Sequence, residues 1–331
     1  MAIRRKVYVT RKILEPALSM LLKECTVVLN NKDRPPTRKE IIKNIRDKDG
    51  ILCMLSDKID AEVMAAAGPK LKVISSYSTG VDHIDVEEAT KRGIYVTFTS
   101  NILAETTADL TFALILALAR KVIEANEFTK SKQWKVGWLP NLLLGTEVYG
   151  MTLGIIGLGR IGTAVARRAK GFNMRIIYHN RFTRNNQIES ELKAEYVDIN
   201  NILEQSDFLS IHTTLNKDSF HLLDESKFRK MKKTAYIINT SRGQIINESD
   251  LIKAIKNNWI AGVGLDVFEK EPLPNSSPLL KMKNVVLLPH IGSATYQTRS
   301  KMSEIAAQNL INVLNGRDPL FIVNSEVKKK N

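Results

Sequence analysis

Four short segments of the chain carry residues that together could move a hydride and a proton. They are Gly157-Leu158-Gly159-Arg160-Ile161-Gly162, Asn239-Thr240-Ser241-Arg242-Gly243, Gly264-Leu265-Asp266-Val267-Phe268-Glu269-Lys270-Glu271-Pro272 and Pro289-His290-Ile291-Gly292-Ser293. The first has glycines where a strand-to-helix turn holds a diphosphate: one for the tight turn, one for close approach of the backbone, one for helix-on-strand packing. The amides at the start of the helix then face the anion. The other three supply an arginine, two glutamates and a histidine after apolar runs, where parallel sheets place ligands.

The strand that follows the glycine turn should end in the group that reads the adenosine ribose. A carboxylate there binds the 2′-hydroxyl, whereas arginine accommodates a 2′-phosphate. This chain reads His179-Asn180-Arg181-Phe182-Thr183-Arg184, with no carboxylate and two arginines. NADP(H) is the expected cofactor and NAD remains possible. Arg181 is the expected main phosphate contact, Arg184 a secondary one, and Asn180 and Thr183 are their neighbours. Thr240, Ser241 and Gly292 are expected to line the same cofactor, and Asp266 either borders the nicotinamide or acts as a structural cap.

Hydride attack on a keto carbon builds negative charge on the carbonyl oxygen, which must then receive a proton. An imidazolium can supply it. A carboxylate beside the imidazole favours its charged form, and both Glu269 and Glu271 stand close enough in sequence to serve. A guanidinium is permanently cationic and fork-shaped, so Arg242 can hold a substrate carboxylate while polarising the carbonyl.

These groups need a scaffold, and the sequence supplies one. Short β-branched runs alternate with helical patterns, the mark of βαβ units and a parallel sheet covered on both faces. One series of strands is expected at Val7 to Thr10, Thr26 to Leu29, Ile51 to Leu55, Val73 to Ser76 and Ile94 to Thr97. A second is expected at Leu153 to Gly157, Arg175 to Tyr178, Phe208 to His212, Ala235 to Asn239, Ala261 to Leu265 and Val285 to Leu288. Between them, Ala104 to Lys130 reads as one long buried helix. The stretch Ser131 to Gly150 lacks clean periodicity and carries Trp134, Trp138 and several leucines, an apolar excursion suited to a subunit contact. A last helix is expected from Arg299 to Leu314.

At 331 residues the chain exceeds one core of ~150 residues, so two domains are expected. The net charge of +14 raises the question of nucleic acid, but the basic residues are scattered among acidic ones, which argues instead for general attraction of anionic substrates. No apolar run approaches the ~18 residues of a membrane span. Two cysteines, Cys25 and Cys53, form no disulfide framework or metal-ligand pattern, and no export signal is legible at the start, so a cytoplasmic protein with buried thiols is expected. His212 is read as a strand end beside the cofactor, and His83, His179 and His221 as solvated loop residues.

With these motifs in order, the sequence resembles the D-isomer-specific 2-hydroxyacid dehydrogenases over essentially its full length, and most closely their glyoxylate/hydroxypyruvate reductase branch. The resemblance implies two Rossmann-like domains, each a doubly wound parallel sheet, with a deep cleft between them. Residues 1–101 plus 290–331 would form a flavodoxin-like substrate domain, and residues 102–289 the dinucleotide domain. It also implies that Arg242, Glu271 and His290 are the catalytic set, which chooses Glu271 over Glu269.

In such proteins the loop matching Ser76-Tyr77-Ser78-Thr79-Gly80 receives the substrate carboxylate, which points to Ser78, Thr79 and Gly80, with Met54 and Leu55 on the pocket wall. The implied substrate is a short 2-keto acid such as glyoxylate or hydroxypyruvate, and the implied assembly a homodimer. Phosphoglycerate dehydrogenases carry arginine where this chain has Ser76, phosphite dehydrogenase lysine where it has Thr79, and formate dehydrogenases glutamine where it has Glu271. Some hydroxypyruvate reductases place a partner's tryptophan near Leu142, and this chain has none there. The same fold also serves NAD(H)-sensing corepressors, the alternative that needs no turnover.

Overall fold

The computed structural model describes residues 4–181, 184 and 186–329, which form two units. Unit 1 comprises the residues up to Ile102 and those from Ala294 onward, and unit 2 is the continuous run Leu103–Ser293. The chain is therefore α/β, with one all-parallel sheet in each unit.

In unit 1 the strands are β1 (Arg5–Val9), β2 (Cys25–Leu29), β3 (Gly50–Cys53), β4 (Val73–Ser76) and β5 (Tyr95–Thr97), in the order β2-β1-β3-β4-β5. This is the doubly wound order of flavodoxin-like sheets. Val7, Val9, Leu52 and Val73 point to one core, shared with Leu21 of helix Ala17–Glu24 and with Ala306 and Leu310 of helix Tyr296–Leu314. Tyr8, Ile51 and Ile74 point to the other, under helices Arg38–Ile45 and Ala61–Ala67. Local chemistry sets the helix starts: Thr37 and Glu40 form a reciprocal capping box, and Asp60, Asp85 and Thr295 cap theirs with a side-chain oxygen. The later part of the chain is built into the first sheet, because the Ser75 hydroxyl donates to the Ala306 carbonyl at 2.8 Å and Val96 N–H donates to the Asn324 side chain at 2.8 Å.

Unit 2 contains β6 (Thr152–Ile156), β7 (Arg175–His179), β8 (Glu195–Tyr196), β9 (Phe208–Ile211), β10 (Tyr236–Asn239), β11 (Gly262–Leu265) and β12 (Val285–Leu287), in the order β12-β11-β10-β9-β6-β7-β8. The order reverses between β6 and β9, the switch point at which such sheets take a dinucleotide. Helices Ala104–Ala119 and Arg160–Gly171 cover one face, and helices Ile199–Gln205 and Glu248–Lys256 the other.

Several expectations change. The long helix expected over residues 104–130 is two helices, Ala104–Ala119 and Val122–Lys130, because Lys121 takes a left-handed backbone (φ 51°) and Thr146 N–H caps the Ala119 carbonyl at 2.7 Å. The second of these helices buries no residue, so the expected burial holds only for the first. The edge strand β8 was not expected, being two residues long. The units divide after Ser293 rather than before His290, so the histidine segment stays with unit 2. Its anchor there is Asp266, described below. No helix among the described residues is long and apolar enough to cross a membrane. In the stretch after residue 130, Trp134, Trp138, Leu139, Leu144 and Tyr149 are exposed.

Candidate active site

The groups singled out in unit 2 sit at the C-terminal ends of its parallel strands. β6 leads into Gly157, β7 into Asn180 and Arg181, β10 into Thr240–Arg242, β11 into Asp266, and β12 into His290–Gly292. Parallel strands all end on the same edge, so distant stretches of sequence arrive together.

The glycine turn fits a diphosphate. Gly157 has a left-handed backbone (φ 98°), and a Cβ there would lie 2.6 Å from the Thr213 nitrogen. A Cβ on Gly162 would lie 2.3 Å from the Gly157 carbonyl oxygen, so the helix sits flush on the turn, whereas one on Gly159 meets nothing within 4 Å. Gly159 N-caps helix Arg160–Gly171 without a side chain, and no acidic residue stands in the first turn. The helix thus begins, with Arg160 and Ile161, beside open space suited to an anion.

Asn180 directly follows β7, and its side-chain oxygen accepts the Leu158 N–H at 2.7 Å. It ties β7 to the glycine turn without adding negative charge. Arg181 pairs with Asp218, a residue that reading along the sequence did not single out. Arg184 pairs with Glu189 at 2.8 Å and lies over the Tyr196 ring. Phe182 and Thr183 lie outside the described residues.

His290 Nδ1 lies 2.7 Å from Glu271 Oε2. The other carboxylate oxygen accepts the Phe268 N–H at 3.1 Å. Burial pushes the Glu271 carboxyl up, but the hydrogen bond and charge of His290, the Phe268 amide and the charge of Arg242 outweigh it and hold the group below its ordinary value. An ionised carboxylate can only accept, so Nδ1–H donates and Nε2 is the nitrogen left for a substrate. His290 itself has a left-handed backbone (φ 54°), uncommon for a residue with a side chain. The next two amides explain how it is held there: Ile291 N–H and Gly292 N–H each donate to the buried Asp266 carboxylate at 2.7 Å. Asp266 therefore uses both oxygens as a tether. Burial pushes its carboxyl above the usual range despite those two bonds.

Arg242 donates from Nη1 to the Ser241 carbonyl at 2.8 Å, and its own carbonyl accepts from the Asn239 side chain at 2.9 Å. The Ser241 hydroxyl donates to the Thr213 carbonyl, and Thr240 Oγ1 lies 3.1 Å from Thr111 Oγ1. These contacts fix the arginine segment between the end of β9 and helix Ala104–Ala119.

Three histidines expected in solvated loops are only partly exposed. His221 pairs with Glu269 at 2.7 Å, His179 with the Val197 carbonyl at 3.0 Å, and His83 lies 3.2 Å from the Ser76 hydroxyl. The partners of His221 and His179 are remote in sequence, a relation that no local pattern records. His212, at the end of β9, holds Ser210 at 2.7 Å through Nε2, and burial pushes its imidazole down to about 3.

In unit 1, the loop after β4 keeps its side chains occupied. Ser78 donates to the Gly80 carbonyl at 2.5 Å and lies 2.7 Å from the Ser76 hydroxyl, while Thr79 donates to the Thr99 carbonyl at 2.8 Å. What the loop can offer an anion is therefore backbone N–H from Ser78, Thr79 and Gly80. Leu55, after β3, is 40% exposed.

Residues 112–292 match the family model for the NAD-binding domain of D-isomer-specific 2-hydroxyacid dehydrogenases. The chain is 53% identical to a glyoxylate reductase of Thermofilum pendens over 328 residues, covering 98% of this chain and 96% of that protein. It is 51% identical to a glyoxylate reductase of Korarchaeum cryptofilum, covering 98% and 97% respectively. Among solved structures, it is similar to an NADPH-dependent glyoxylate/hydroxypyruvate reductase of Sinorhizobium meliloti in complex with NADP and malonate, with a TM-score of 0.85, 31% identity and 98% of each chain covered.

Proposed function

Because the chain belongs to the D-isomer-specific 2-hydroxyacid dehydrogenase family, we propose that it reduces a short 2-keto acid, glyoxylate or hydroxypyruvate, to the 2-hydroxy acid, with NADPH preferred over NADH. The observation that carries this reading is the 2.7 Å pair between His290 Nδ1 and Glu271 Oε2 at the edge of a dinucleotide-type sheet.

The nicotinamide dinucleotide supplies the hydride when bound; Gly157 to Gly162 would hold its diphosphate, with Asn180 and Arg181 around the ribose and Thr240, Ser241 and Gly292 nearby. His290 gives the proton on Nε2 to the carbonyl oxygen as charge develops there, and takes it back in the reverse direction. Glu271, kept ionised, stabilises the imidazolium and fixes which nitrogen faces the substrate. Arg242 draws in the substrate carboxylate and polarises the carbonyl. By the resemblance, the amides of Ser78, Thr79 and Gly80 would take a substrate carboxylate, and Leu55 would border a short acyl chain.

The absence of a carboxylate at Asn180 and the presence of Arg181 support NADPH; the pairing of Arg181 with Asp218 argues that the preference is moderate rather than strict. The exposed Trp134, Trp138 and Leu144 support a homodimer, and the buried free thiols of Cys25 and Cys53 a cytoplasmic location.

Initial rates with a panel of short 2-keto acids and both reduced cofactors test the proposal. Turnover of glyoxylate or hydroxypyruvate, lost in His290→Ala and in Arg242→Ala, is the expected result. Undiminished turnover in both variants removes the site assignment, and no turnover of any 2-keto acid removes the activity.

A further inference from the structure

The loop after β11 carries two glutamates, and each has its own histidine. Glu271 holds His290, while Glu269 holds His221 at 2.7 Å. We propose that Glu269 is a positioning residue: with His221 and Glu248 it fixes the loop that brings Glu271 to His290. This inference rests on the catalytic reading above.

Glu269 is bound on its backbone and its side chain together. Its N–H donates to Glu248 Oε2 at 3.3 Å, its carbonyl accepts from the Gln244 side chain at 3.0 Å, and its Oε1 accepts the Glu248 N–H at 3.1 Å beside His221 Nε2. The partners belong to the segment that directly follows Arg242: Gln244 lies in the turn Gly243–Ile245 and Glu248 opens helix Glu248–Lys256. His221 joins the same segment, its N–H donating to the Gln244 carbonyl at 2.8 Å. One residue therefore clamps the arginine segment to the glutamate loop.

The two backbones also touch. A Cβ on Gly243 would lie 1.9 Å from the Phe268 carbonyl carbon and 2.4 Å from the Glu269 nitrogen, so only glycine permits this approach. The Phe268 amide in turn holds Glu271 Oε1 at 3.1 Å. A shift of residues 268–269 thus moves the donor that aims the Glu271 carboxylate, and with it the partner of His290. A displacement of this kind costs rate without altering any group that touches substrate.

The charges around each centre define the readout. Glu269 faces His221, Glu248 and the neutral Gln244, while His290 faces Glu271 and Asp266, with Arg242 acting on Glu271. Loosening Glu271 disturbs proton transfer and not the groups that bind substrate, so kcat falls while KM for glyoxylate is kept. A brace that only stabilises the fold lowers the unfolding temperature and leaves kcat of the folded protein in place.

The experiment compares wild type with Glu269→Ala, Glu269→Gln, His221→Ala and Glu271→Gln, measuring kcat, KM for glyoxylate and thermal unfolding of each full-length protein. Glu269→Ala is expected to lower kcat by about 10- to 100-fold, with KM for glyoxylate little changed. Glu269→Gln keeps an oxygen for both hydrogen bonds and should recover most of the rate. If Glu269→Ala does not fold, His221→Ala carries the test and should lower kcat in the same way by less. A wild-type kcat in the folded variant, or a loss that Glu269→Gln does not recover, overturns the proposal. If Glu271→Gln and His290→Ala are themselves fully active, the catalytic reading fails instead, so the two failures are separable.

Discussion

Gly292 donates its amide N–H to the Asp266 carboxylate at 2.7 Å, and Ile291 donates to the same group at the same distance. One buried side chain after β11 thereby anchors the segment after β12 that presents His290. Asp266→Ala should leave both amides without a partner, at about 1–3 kcal/mol each, and release the histidine. Chemical denaturation and kcat should fall together; unchanged stability would show that the tether carries no weight.

His290→Asn and Glu271→Gln should each lower kcat by about 10²- to 10⁴-fold while dinucleotide affinity is retained. Asparagine is the suitable replacement for His290 because it tolerates a left-handed backbone. Steady-state kinetics with equilibrium binding of NADPH separate the two effects, and a large loss of NADPH affinity in either variant would speak against a proton-transfer role.

Because the Glu271 carboxyl is held below its ordinary value, the stabilisation from its ionised form is fully present above the unfolded-state value of about 4.3 and is lost only as pH falls through the lower folded value. The reductive rate should show no acid limb from Glu271 above about pH 4.3. A limb centred above that pH, present in wild type and missing in Glu271→Gln, would contradict the assignment.

His212 predicts a second pH effect, on stability. Its folded value near 3 lies below the unfolded one of about 6.5, so stability is complete above the unfolded value and is lost as pH falls toward 3. The slope in that window is about 1.4 kcal/mol per pH unit at most. Urea denaturation between pH 5 and 7 should show this slope in wild type and a reduced one in His212→Asn; equal slopes would exclude His212 as the source.

Arg181→Ser should raise KM for NADPH by about 10-fold and leave KM for NADH nearly unchanged, the signature of a lost phosphate contact. Asp218→Asn should act in the opposite sense, since it removes the carboxylate that competes for the same guanidinium. Parallel changes in both cofactors would place Arg181 elsewhere than at the 2′-phosphate.

Most of the scaffold was legible because buried parallel strands are written as β-branched runs. Val73–Ser76 matches its expected span to the residue, and the remaining expected strands differ only at their ends. What escaped had no local signature. Lys121 breaks a helix although lysine is a good helix former, because Thr146 supplies the cap from a distant loop. β8 is too short to show alternation.

At the site, the glycine turn and the order of arginine, glutamate and histidine could be read directly. The choice between Glu269 and Glu271 could not, and it was the resemblance that made it. The geometry gives each glutamate a different histidine, and His221 looked solvated only because its partner lies far along the chain.

The interleaving of the two units has a consequence for biosynthesis. Val73 and Leu52 form a core with Ala306 and Leu310, residues that leave the ribosome only after all of unit 2 has been made. At ordinary rates of translation the face of the first sheet waits roughly 10 to 50 seconds for its covering helix. A nascent chain of this design therefore asks for chaperone protection early, and unit 2 has the opportunity to complete its fold before unit 1.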